Sequence, residues 1–157
     1  MSKPIWKIAA LAVLLPSTTF ASDGLNGANT AWILTATALV LMMTLPGLSL
    51  FYGGLVRVKN ILSILLQCFA VTCVASLLWL LVGYSMAFSE GNAFVGGFDN
   101  ILMGAVTEGS MAGDIPESVF AMFQMTFAII TPALIVGGFA ERMRFSSMLV
   151  FSGLWLL

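Results

Sequence analysis

Residues 61 to 88 read ILSILLQCFAVTCVASLLWLLVGYSMAF, 28 residues without an Asp, Glu, Lys or Arg. As a helix this run is about 42 Å long at the standard rise. A bilayer's hydrocarbon core is about 30 Å thick, so the run spans one with room for tilt or an interfacial extension. Two further runs behave alike. Gly24 to Val56 carries no charge, and its apolar part, Ala31 to Phe51, has the length of a span. Ser118 to Ala140 adds 23 uncharged residues. A fourth apolar run starts at Phe145 and continues to Leu157, too short to cross. The reading is an all-α polytopic membrane helix bundle. Its spans cover about residues 30–54, 61–88 and 118–140, with 145–157 an incomplete fourth. The simplest account of that last run is a chain cut short, with a re-entrant segment as the alternative.

Only 8% of the residues are charged and 60% are hydrophobic. Soluble domains carry about 25% charged residues, so a soluble enzyme is excluded. The net charge of −1 points to no nucleic-acid partner. Histidine is absent from the chain, which removes histidine catalysis and histidine metal ligation from these residues. Cys68 and Cys73 match no metal or disulfide spacing and read as small apolar residues. No catalytic residue, metal or cofactor is expected.

Lys3 and Lys7 precede a short apolar core, Ile8 to Leu15, and Pro16, with Thr19 and Ala21 as small residues before a cleavage point. That is the layout of a secretory signal peptide over residues 1–21, leaving 22–157 as membrane domain. Pro46 and Gly47 inside the first span predict a bend, tolerated where neighbouring helices cover the freed backbone groups. Ser63 with Gln67 and Thr72 with Ser76 are each one turn apart, and such pairs are expected to bind helices to one another. Residues 89–117 are glycine-rich and acidic and read as a loop with a short helix near Ile101 to Val106. Pro116 and Glu117 suit the first turn of the next helix.

The linker after the first span holds Arg57 and Lys59, and the linker after the third holds Arg142 and Arg144 beside Glu141. The other side carries Asp23, Glu90, Asp99, Glu108, Asp114 and Glu117. The positive-inside rule puts both basic linkers in the cytoplasm and the mature N-terminus outside. Glu141, Arg142 and Arg144 read as a tight charged cluster, serving topology or, alternatively, a conformational or partner-binding role.

Phe120, Phe123 and Phe127 follow i, i+3, i+7 and share a helix face, with Gln124 and Thr131 close to it. A glutamine suits lipid poorly, so this side is expected to point inward. Such a stripe serves packing or a cation. A small cation over an aromatic face gains about 0.5 to 2 kcal/mol. A cation held there also loses water, and desolvation disfavours its charged form.

Three stretches together resemble the ammonium transporter (Amt/Mep/Rh) family: ALVLMMTLPGLSLFYGGLVRVKN, LLWLLVGYSMAF, and FQMTF followed by AERMRF. The resemblance covers about residues 27 to 157. It implies homotrimers of eleven-helix subunits in a bacterial inner membrane, each with a narrow apolar pore. It further implies recruitment of ammonium outside, removal of a proton, and passage of ammonia along a pore lined by two histidines. By position in FQMTF, Phe127 matches the aromatic that gates the outer mouth and Phe123 the one beside the recruitment site. Gln124 lies in the same motif. The pore histidines and the remaining outer-site residues fall beyond Leu157 in the family pattern. A PII-type regulatory protein on the cytoplasmic face is a further implied partner. The alternative reading is an ammonium-sensing membrane module joined to a downstream signalling domain.

Overall fold

A computed structural model describes residues 24–92 and 95–157. The expected signal peptide lies outside the described residues. Four helices follow in order: α1 (Gly27–Leu55), α2 (Val58–Phe88), α3 (Glu117–Phe139) and α4 (Phe145–Leu156), and the first three are long and apolar enough to cross a membrane. All four expected apolar runs are helices, with ends shifted by a few residues at most.

The start of α1 has a physical cause. Asn26 caps it by accepting from the Ala28 and Asn29 backbone N–H groups, both at 3.1 Å. Such a cap contributes about 1 kcal/mol. The Asn26 backbone N–H donates to the Asp114 carbonyl at 2.8 Å, and the Asn29 side-chain amide donates to the Asp114 carboxylate. The start of α1 is thereby tied to the loop before α3. Within α1, Met43–Leu48 widens into a π turn around Pro46. Proline supplies no N–H and its ring crowds the carbonyl four residues back, so the wider turn is how the expected bend is accommodated. A second π turn, Trp79–Gly83, lies inside α2.

Helix α2 packs on α1, α3 and α4 and forms the centre of the bundle. Ile64, Cys68 and Val71 of α2 are buried with Ala133, Val136 and Phe139 of α3 and Met148 of α4. Lipid is as apolar as these side chains, so close approach rather than water exclusion holds the helices, and small residues serve it. Gly137 is the sharpest case: a Cβ there would lie 2.5 Å from Cε1 of Tyr52. A second cluster joins Trp79 and Tyr84 to Ala121 and Phe120. The Trp79 indole N–H donates to the Ala121 carbonyl at 3.2 Å, and the Tyr84 hydroxyl donates to Glu117 at 2.7 Å.

Several local expectations change. The short loop helix is a single 3-10 turn, Ile101–Met103. A hairpin of β1 (Met111–Ala112) and β2 (Ile115–Pro116) precedes α3, with Met111 opposite Pro116 and Gly113 at φ 67 in its turn. Two-residue strands carry no periodicity to read. The polar pairs of α2 do not bind helices to one another among the described residues. Gln67 donates to Ser63 at 3.5 Å, while the Thr72 and Ser76 hydroxyls donate to the carbonyls of Cys68 and Thr72, one turn back in their own helix.

Candidate functional site

The aromatic stripe of α3 divides in two. Phe120 turns toward α2, its ring centroid 5.1 Å from that of Phe88 in an edge-to-face contact. Phe123 and Phe127 pair with each other instead, at 5.1 Å and 82°. An edge-to-face pair uses only one of its four ring faces, and the quadrupole of a free face attracts a cation. Phe127 is 43% exposed, while Phe123 and Gln124 are half-buried. Phe127 and Thr131, on the side expected to point inward, stand on a face that no described helix covers. The described helices cover the opposite face, where Ala121, Ile129, Ala133 and Val136 are buried. The stripe is therefore a surface still free for a partner helix or a solute.

The open face continues down the helix. At 100° per residue, Phe123, Phe127, Thr131, Leu134 and Gly138 fall within a narrow arc. Its far end opens into a cleft between α1 and α3 lined by Tyr52, Leu55, Leu134, Gly137 and Glu141. There the Tyr52 hydroxyl donates to the Leu134 carbonyl at 2.8 Å.

The charged residues at this end do not form the cluster expected of Glu141, Arg142 and Arg144. Glu141 has φ 65, in the left-handed region. From that turn its carboxylate reaches back to the linker between α1 and α2 and to the first turn of α2. One oxygen accepts from the Asn60 side-chain amide at 2.6 Å and from the Arg57 backbone N–H at 3.1 Å. The Asn60 amide first, then the Arg57 backbone N–H, hold the carboxyl below the usual glutamate range, and the nearby charges of Arg57 and Lys59 add to this. Arg142 and Arg144 continue past the turn, exposed. Of the five residues, Arg57, Lys59 and Glu141 are brought together, and Arg142 and Arg144 are not. Asn60 and Tyr52 were missed from sequence. The signal for Tyr52 was a phenol inside an apolar run, where a hydroxyl needs a partner. Among the described residues no group of three His, Cys, Asp or Glu side chains converges to hold a metal ion.

Residues 31–157 match the model of the Ammonium Transporter Family. An ammonium transporter of Bacillus subtilis (strain 168) is 46% identical over 129 residues, covering 81% of this chain and 32% of that protein. One of Aquifex aeolicus (strain VF5) is 41% identical over 151 residues, covering 94% of this chain and 36% of that protein. The crystal structure of Saccharomyces cerevisiae Mep2 is similar at a TM-score of 0.73 and 35% identity, over 90% of this chain and 32% of that one. That of Candida albicans Mep2 reaches a TM-score of 0.74 at 34% identity, over 84% of this chain and 29% of that one. The chain spans about a third of the length of the curated relatives it matches. With three helices long enough to cross a bilayer and a family match over most of its length, this chain is a multi-pass membrane protein and belongs to the Ammonium Transporter Family.

Proposed function

We propose that this chain contributes the first helices of an ammonium transporter, and that Phe123 and Phe127 form the aromatic part of its outer mouth. The observation that carries the reading is the edge-to-face pair of these two rings on the open face of α3. An ammonium ion over the free ring faces gains about 0.5 to 2 kcal/mol as it loses water. Loss of water also favours its neutral form. Phe127 then blocks hydrated species and Phe123 helps to hold the cation above it, with Gln124 beside them. Proton removal and passage of ammonia take place along an apolar path completed by helices that pack on the open face. The proposed setting is a bacterial inner membrane, with the Arg57 and Glu141 end in the cytoplasm and the residue 89–117 loop outside. A homotrimer and a PII-type regulator at the cytoplasmic face belong to the same proposal.

The test is uptake of labelled methylammonium by cells expressing single variants within the complete reading frame, at matched protein levels. Phe123→Ala should raise the half-saturation concentration by about two- to thirtyfold, the range that 0.5 to 2 kcal/mol implies. Phe127→Ala should do the same and also admit larger or hydrated solutes. Phe120→Ala, whose ring meets Phe88 instead, should act as a packing change with near-normal affinity. Wild-type uptake and selectivity in both Phe123→Ala and Phe127→Ala would reduce the stripe to packing.

A further inference from the structure

We infer that Gly137 is a positioning residue: its missing side chain lets the Tyr52 phenol lie on α3 at the far end of the open face that bears Phe123 and Phe127. This rests on the transport reading above. Two observations meet at Tyr52. Its hydroxyl donates to the Leu134 carbonyl at 2.8 Å. Its ring lies so close to α3 that a Cβ on Gly137 would come within 2.5 Å of Cε1, 3.0 Å of Cζ and 3.1 Å of Cδ1. Real Cβ contacts do not reach the first of these distances, so any side chain at 137 must push the ring away. The ring is rigid beyond χ1 and χ2 and cannot yield as a lysine tip would. Displacing it also breaks the hydroxyl contact, because both depend on the same lie of the phenol. Tyr52 and Gly137 line the same cleft as Leu134 and Glu141. The ring's place therefore sets how wide the cleft is where the open face ends. A solute that follows this face from the Phe pair leaves past Tyr52.

The arrangement supplies its own controls. Gly138 is adjacent, yet a Cβ there meets nothing within 4 Å, and the same holds for Gly54 on α1. Gly138→Cys therefore serves as a reporter at the cleft edge, and Gly54→Ala as a glycine-to-alanine change that leaves Tyr52 alone. In purified protein from the complete reading frame, with the exposed Cys73 changed to Ala, the rate of thiol modification at Gly138→Cys reads the ring's position without reference to transport. Gly137→Ala should speed that rate by about threefold or more, since the three nearest atoms to the added Cβ all belong to the Tyr52 ring and overpacking displaces such side chains. Gly54→Ala should leave it unchanged. In a Tyr52→Ala background the rate should start high, and Gly137→Ala should add nothing. Methylammonium uptake should show a lower or higher maximal rate in Gly137→Ala with the half-saturation concentration unmoved, because the Phe pair lies at the other end of α3. If Gly137→Ala is poorly made, Tyr52→Phe removes the hydroxyl anchor without adding an atom and should shift the labelling rate in the same direction. An unchanged labelling rate in both variants overturns the inference, as does a Gly137→Ala effect that persists without Tyr52. A labelling shift in a protein that takes up no methylammonium would leave the positioning role standing and overturn the transport reading instead.

Discussion

Glu141 carries two opposing local terms. Its φ of 65 is unfavourable for a residue with a Cβ, and its carboxylate is well satisfied by Asn60 and Arg57. The carboxyl's folded pKa lies below its ordinary value near 4.5. A depressed folded pKa means that the contact stabilises the protein fully above the ordinary value and is lost as pH falls through the folded value. Glu141→Gln keeps one acceptor oxygen but not the charge. The melting temperature of wild type should therefore exceed that of Glu141→Gln at neutral pH, and the gap should close in acid below the ordinary glutamate range. A gap independent of pH would mean that the charge plays no part. Glu141→Gly separates the other term, relieving the backbone while losing the acceptor, so it should melt closer to wild type than Glu141→Ala does. The sequence showed a carboxylate beside two arginines, and the shortest pairing in sequence suggested a cluster. The true partners are an amide and a backbone N–H more than eighty positions away. Long-range partners of that kind leave no periodic trace. The Phe stripe was legible because it lies on one helix, although the two directions its rings take, toward Phe88 or toward each other, depend on α2.

At the scale of elements, the π turn of α1 raises the question of what maintains it. Pro46 is the obvious cause, but the contacts beyond it also depend on the extra residue it inserts. Regularising residues 43–48 would rotate the rest of α1 by about 100° relative to its first part. The gain is about one backbone hydrogen bond, near 1 kcal/mol net. The loss includes the Tyr52 to Leu134 hydrogen bond, at about 0.6 kcal/mol for a contact within a membrane protein, together with the exposed Arg57 to Glu141 hydrogen bond. Those terms nearly cancel, so packing decides. Leu48, Tyr52 and Val56 all pack against the buried cluster of α2, α3 and α4. A buried side chain makes dozens of contacts at about 0.1 to 0.2 kcal/mol each, which outweighs one backbone bond. Pro46→Ala should therefore keep the π turn, with unchanged hydrogen–deuterium exchange across residues 49–60. Faster exchange there would show that the proline alone holds the bulge. Sequence predicted a bend here but not its form, because a π turn and a plain kink share the same Pro-Gly signal. The four apolar runs were legible for the opposite reason: a span must be apolar over its whole length, whatever it packs against.

At the scale of the molecule, α1 acts as a ruler. Its start is tied to Asp114 of the acidic loop, and Arg57, two residues past its end, is tied to Glu141. A helix of 29 residues separates them, about 44 Å at 1.5 Å per residue. That exceeds the hydrocarbon core of about 30 Å. Arg57, Lys59, Arg142 and Arg144 therefore lie at one end of the bundle, and Glu108, Asp114 and Glu117 at the other. A bilayer wrapped around α1 must place these groups on opposite sides, and the excess of basic residues supports the proposed cytoplasmic position of the Arg57 end. Two cysteine positions test this without disturbing the fold. Gly109 has open space around its missing Cβ. The Arg57 hydrogen bond to Glu141 comes from its backbone N–H, so Arg57→Cys keeps that hydrogen bond and loses only the nearby charge. In intact spheroplasts with Cys73 changed to Ala, an impermeant thiol reagent should modify Gly109→Cys at once. Arg57→Cys should react only after the membrane is permeabilised. The reverse pattern would invert the bundle, place the Phe123 and Phe127 pair at the cytoplasmic mouth, and overturn their proposed role in recruiting a cation from outside.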